Sequence, residues 1–116
     1  MRKIDGRFLG IAQGSERLFS DFENDGRMWT GKGPRVIRVP VVFKEKFREK
    51  PVVHAGMSMW DMDQKTNPRG DISVAKITVK GFEIVFRTWG DTRVARIRAD
   101  WIAIGELPHD DDWELY

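Results

Sequence analysis

With 116 residues, 41% of them hydrophobic and 33% charged, the chain reads as one globular domain that buries roughly two-thirds of its unfolded surface, not as a disordered segment. A formal net charge of +2, with no stretch that gathers Lys and Arg on a helix, excludes nucleic acid as the expected partner. The absence of cysteine excludes disulfides and thiolate metal sites, and no run reaches the length of a membrane span or of a signal-peptide core, so a cytoplasmic protein is expected unless a larger assembly displays it.

In chain order, Phe8–Gln13 reads as a first short strand, Gly14-Ser15 as a break, and Glu16–Asp21 as a second short strand. Glu23-Asn24-Asp25-Gly26 is a turn cluster, and Trp29–Arg35 (WTGKGPR) is a Gly/Pro-rich loop carrying a tryptophan. Val36–Phe43 is β-branched, and Pro40 inside it marks an edge strand or a bulge, because proline cannot donate to a ladder. Lys44–Pro51 is charged but too short before its proline for a helix; it is expected to be a loop in which Phe47 anchors inward. Val52–Trp60 is the next strand, Asp61–Asp71 a long polar connection turning at Asn67-Pro68-Arg69-Gly70, and Ile72–Val79 a further strand.

Lys80–Glu106 reads as two long strands joined by a tight turn. Phe82, Ile84 and Phe86 alternate with Glu83, Val85 and Arg87, then Ala95, Ile97, Ala99 and Trp101 alternate with Arg96, Arg98 and Asp100. Period two is the pattern of a sheet with one buried face. Between them Trp89-Gly90-Asp91-Thr92 carries the turn signal: Gly90 tolerates a positive φ and Asp91 can bond its own backbone. The expected arrangement is a hairpin with Trp89 at its lip. Short strands without alternating helices give an all-β fold, an antiparallel β-sandwich or barrel of about six strands. One domain over 1–116 is expected, divided into N-terminal strands and loop (1–35), a core sandwich (36–106) and an acidic tail (107–116).

Several separate stretches, in order, resemble the H-type lectin family, found in a snail agglutinin and in the C-terminal domain of the discoidins. They are Val41–Val53, Ser58–Asp61, Asn67–Arg69, Lys80–Ile84, Thr88–Thr92 and Ala99–Gly105. The resemblance implies a β-sandwich that assembles as a homotrimer and binds galactose or N-acetylgalactosamine-like glycans in shallow sites between subunits, a role in cell adhesion, and no cofactor. Of that family's sugar-contacting positions, the Arg after the long connection matches Arg69 and the lip Trp matches Trp89. The following position, often His in the family, is Gly90; an aromatic of the return strand falls at Ala95; and the loop that supplies an acid reads TGKGPR, with Lys32 and Gly33 in its place.

The pair has a physical logic of its own. An exposed indole covers the C–H patch of a galactose-like ring, and a guanidinium fork bonds two hydroxyls at fixed geometry. Asp61, Asp63 and Asp71 flank the same connection and could replace the missing acceptor, Asp61 being the sugar-site candidate, or could bind a hard cation; the plainer expectation is that Asp61 bonds backbone amides and the others are solvated. Lys32 as a donor would suit an anionic sugar. Trp101 is expected in the core, whereas Trp29 and Trp60 are open between core and groove. The row Arg96, Arg98 and Asp100 is either a solvated face or a ladder along a threefold axis.

Enzymatic chemistry lacks a constellation: no serine has a histidine at a recognisable spacing, His54 reads as an interior histidine, and His109 opens a surface-draped tail. The Asp spacing fits no calcium loop, so no metal is expected. The rival to a lectin is a structural trimer module of a larger particle, such as a phage-like tail or spike, with a vestigial sugar site.

Overall fold

The computed structural model of the chain describes residues 1–109. Its strands are β1 (Leu9–Ser20), β2 (Arg35–Val42), β3 (Val52–Met62), β4 (Asp71–Ala75), β5 (Gly81–Thr88) and β6 (Val94–Glu106), with a single helical turn, α1 (Arg27–Thr30), between β1 and β2. They form two antiparallel three-stranded sheets, ordered β1-β6-β3 and β2-β5-β4. The all-β sandwich expected from the alternation is what forms. No helix among the described residues is long and apolar enough to cross a membrane.

The expected hairpin is corrected by this topology. β5 and β6 do not pair; each is the central strand of a different sheet, and Trp89–Arg93 is a crossover between the layers. The alternation itself holds: Phe82, Ile84 and Phe86 are buried, as are Ala95, Ile97, Ala99 and Trp101. Those two apolar rows meet face to face across the sandwich, with Phe82 and Trp101 edge to face at 5.3 Å. Two inward rows of this kind satisfy each other better as opposing layers than as neighbours in one sheet. Val85, on the opposite row, is buried as well.

Three further expectations change. β1 is one strand, with no break at Gly14-Ser15: Gly14 pairs with Trp101 and a Cβ there would lie 2.8 Å from the indole, so the glycine makes room for the ring. β4 stops at Ala75, because Lys76 adopts a φ of +51° and Thr78 then organises a turn, its hydroxyl accepting from the N–H groups of Lys80 and Gly81. Trp29 lies in α1 and not in a loop, in a turn whose Met28 N–H is capped by the Asp21 carboxylate. β2 is an edge strand, as Pro40 requires.

The core is densest at the end where β5 begins. Phe43, Phe47, Phe82 and Trp101 form a continuous aromatic cluster with centroids 5.1–5.9 Å apart. Phe47 anchors the charged 44–51 loop as expected, almost wholly buried, with its N–H on the Val79 carbonyl. His54 is a correction: it is exposed on the outer face of β3, opposite Ile102, and not interior. Of the expected tail, Leu107 donates its N–H to the Phe8 carbonyl and His109 stacks on the Phe8 ring at 4.3 Å; residues 110–116 lie outside the described residues.

Candidate functional site

At the opposite end of the sandwich three loops converge, and the residue that joins them is Arg35, the first of β2. Its side chain is buried, 6% exposed, and all its hydrogen bonds among the described residues go to backbone carbonyls. Nε donates to Gly33, Nη1 to Met28 (3.1 Å) and Arg27, and Nη2 to Thr92 (2.8 Å) and Gly90. Burial pulls its pKa below the ordinary arginine value, but a guanidinium starts so high that it keeps its charge at neutral pH. One cation therefore ties α1, the 31–34 loop and the 89–92 crossover together.

Two buried threonines fix the remaining loop. The Thr88 hydroxyl donates to the Arg69 carbonyl at 2.6 Å, and the Thr92 hydroxyl donates to the Asn67 carbonyl. The Asn-Pro-Arg turn is thereby held against the crossover at both ends. Its Arg69 guanidinium reaches over the crossover and donates through Nη1 to the Asp91 carboxylate and to Thr92 Oγ1 at 3.3 Å. Gly90 makes this approach possible in two ways. Its φ is +70°, and a Cβ at that position would lie 2.9 Å from Arg69 Nη1.

The outcome is a shallow polar surface with Trp89 at its margin, 45% exposed, beside Arg69 and Asp91. Arg69 holds the Asp91 carboxyl below the ordinary carboxylate value. Arg69 thus lies against Gly90, the residue after Trp89, which brings to one end of the sandwich the positions that the family resemblance singles out. Gly33 joins them through its backbone, donating its N–H to the Gly90 carbonyl at 2.9 Å, and carries its neighbour Lys32 to the same end.

Asp61 is not brought there. It lies on the outer face of β3, where its carboxylate accepts from Arg96 Nη2 at 2.6 Å and Nε at 3.2 Å, and not from backbone amides. A bulge between Asp61 and Met62 turns the strand end away. Asp63 caps its own turn, accepting from the Lys65 N–H, and pairs with Arg93. Among the described residues no group of three or more His, Asp or Glu could hold a metal ion. Trp29 is stacked under the Arg93 guanidinium at 4.1 Å and edged by Phe22, lining a separate cleft with Asp61 and Arg96. Trp60 stands exposed on β3.

Arg35, Thr88 and Thr92 shape this candidate site without being singled out by the sequence, which marks Asp91 only as a turn residue. Asp91 has a usable signal, since it follows Trp89 by two positions in the crossover. Arg35 has none: an arginine heading a β-branched strand is ordinary, and only the folded chain surrounds it with carbonyls.

Residues 38–104 match the family model of the H-type lectin domain. The chain is 58% identical over 110 residues to a protein of Fuscovulum blasticum described as ATP synthase subunits region ORF 7, covering 95% of this chain and 96% of that one. It is 40% identical over 75 residues to a discoidin-1 polypeptide of Dictyostelium discoideum, covering 64% of this chain but only 30% of the discoidin. A solved structure of discoidin II from Dictyostelium discoideum superposes with a TM-score of 0.77 at 23% identity, over 93% of this chain and 40% of that one. The chain thus spans about a third of the discoidins it matches. On the family match over more than half its length, the chain belongs to the H-type lectin domain family.

Proposed function

We propose that the chain is a carbohydrate-binding module that receives a galactose-like pyranose on Trp89, with Arg69 and Asp91 meeting its hydroxyls. The observation that carries this reading is the Arg69–Asp91 pair held over Gly90 beside a half-exposed indole. A pyranose presents an apolar C–H face and a rim of hydroxyls; the indole matches the first, and a donor fork with an adjacent acceptor matches the second. Asp91 supplies the acceptor that the 31–34 loop lacks, which favours a neutral sugar. Lys32 at the rim would add affinity for an anionic substituent. No reaction is proposed.

The outer face of β1-β6-β3 is the proposed trimer interface. In register it carries Ile11, Ile104 and Val52 at one end, and Arg17, Arg98, Arg96 and Asp61 at the other. Ile11 and Val52 are exposed, while Arg96 and Arg98 are already engaged by Asp61 and Ser58. Hydrogen bonds from Ser15 and Ser58 hold Asp100 below the ordinary carboxylate value, so the row keeps both signs of charge. A rotational axis through such a face sets aliphatic against aliphatic and Arg against Asp. Single shallow sites are weak, with Kd values of roughly millimolar to tens of micromolar, and a trimer gains avidity by presenting them together.

A glycan array probed with the wild-type protein and with Trp89→Ala tests the reading. Binding by the wild type and its loss in the variant are expected; silence from both would leave the rival, an assembly module with a vestigial site. Light scattering should give three times the protomer mass.

A further inference from the structure

A sandwich of two three-stranded sheets has four exposed edges, and three of them here are defended against pairing with another strand. β2 carries Pro40 and Arg38, β4 is only five residues long and is followed by Lys76 with a positive φ, and β3 is bent by bulges at Met57/Met59 and Asp61/Met62. Proline, short length, lysine and bulges are the ordinary devices that keep an edge unpaired. β1 is different. From Leu9 to Glu16 it runs in unbroken register with β6, without proline, lysine or bulge, and its register shifts only between Arg17 and Phe19.

The same stretch lines a broad cleft. A cleft of about 780 Å³ runs along Leu9–Glu16 on one side and Pro40–Glu45 on the other, with Phe47, Trp101 and Leu107 at its base. It is hollow for a reason of sequence. The β1 residues paired with Gly105, Ala103 and Trp101 of the inward row are Gly10, Ala12 and Gly14, so β1 contributes almost no side-chain volume to the seam. Trp101 is 9% exposed, and its Nε1–H has no hydrogen-bond acceptor among the described residues. A Cβ on Gly14 would lie 2.8 Å from that nitrogen, so the donor sits under the inward face of β1, closed off from solvent. Buried N–H groups of native proteins nearly always find an acceptor.

We infer that the β1 edge and the β1–β2 cleft bind an extended peptide segment of a partner protein by strand addition along Leu9–Glu16. Among the described residues the β1 edge away from β6 is unpaired; its backbone N–H and C=O groups give affinity, and the cleft accepts alternate side chains, which give selectivity. Leu107 and Trp101 fill the space over Gly10 and Gly14, so the added strand's side chains alternate into the gap between Leu9–Glu16 and Pro40–Glu45. Area argues for a segment over a second whole copy. The paired strip is about 27 Å long and about 10 Å wide, a fraction of the roughly 800 Å² per partner that a stable dimer uses. This site is independent of the sugar-binding proposal, since it lies on β1 and Pro40–Glu45, and neither Arg69 nor Trp89 lines it.

The test titrates the isotopically labelled full chain with the synthetic peptide acetyl-Lys-Thr-Val-Thr-Val-Ser-Val-Thr-Lys-amide and follows backbone amide shifts. Saturable shifts confined to Leu9–Glu16 and Pro40–Glu45, with a Kd of roughly 0.1 mM as befits so small a strip, are expected. The same peptide with proline at alternate positions should produce no shifts, because it lacks the ladder donors. Ala12→Lys places an ammonium in the cleft on a stem that can reach water, and should weaken the peptide at least roughly tenfold while leaving glycan-array binding unchanged. Should that variant not fold, the proline peptide on the wild type decides alone. Equal binding of both peptides, shifts elsewhere, no shifts at all, or nuclear Overhauser contacts showing the β1 edge away from β6 already paired with another segment of the chain or a second copy would each overturn the inference.

Discussion

The two ends of the sandwich are built on opposite principles. At one end Phe43, Phe47, Phe82 and Trp101 pack ring against ring, and the charged loop over them, 44–51, sends Phe47 into that cluster. At the other end Arg35, Thr88 and Thr92 hold three loops by directed hydrogen bonds to carbonyls. Apolar packing is strong but specifies few angles, whereas hydrogen bonds to fixed carbonyls specify where each loop sits. The end that needs a defined surface, with Arg69 over Gly90 and Trp89 at its margin, is the end built from hydrogen bonds.

Substitutions at the two ends should therefore separate stability from binding. The largest effect is expected for Trp101→Ala, which should cost about 3–5 kcal/mol by denaturant unfolding and leave glycan affinity unchanged in the fraction that remains folded. Arg35→Met comes next: leaving several buried carbonyls without their donor should cost about 2–4 kcal/mol, and here glycan affinity should fall too. An Arg35→Met protein that lost stability and kept full affinity would erase the distinction between the ends. Trp89→Ala is expected to shift unfolding by less than about 1 kcal/mol, since its ring is half exposed, while abolishing retention on the glycan that binds the wild type.

The smallest effect is one of pH. Arg69 lowers the Asp91 pKa from the ordinary 3.8, so the ionised form is favoured in the folded chain above 3.8, and that contribution disappears as pH falls through the lowered value. Glycan affinity measured by titration should stay flat from neutral pH down to the ordinary carboxylate range and decline only below it. A decline centred at a higher pH would assign the acceptor to another group.

Much of this architecture is legible in the residues. Alternation over Phe82–Phe86 and Ala95–Trp101 locates both central strands and their buried rows, Pro40 marks an edge, and Phe47 reads as an anchor; each is a local statement about one strand or one loop. Trp89 and Arg69 are legible as a pair because their motifs recur in a known family. Gly14, by contrast, reads as a break, since a glycine that makes room for a ring from the next strand looks like any glycine in a turn.

Composition and period two were enough to determine an all-β chain with these inward rows, because burial of alternate side chains depends on nothing beyond the strand itself. Which strands become neighbours is a different matter. A connection of a few residues such as Trp89–Arg93 can close a hairpin or cross between layers, and only the competition among all six strands for two central places put β5 and β6 in opposite sheets. The same three-dimensional choice gathered five carbonyls around Arg35, carried Asp61 off to Arg96, and set Asp91 beside Arg69. Contacts between residues far apart in the chain carry no periodic trace, so these were decided by the fold alone.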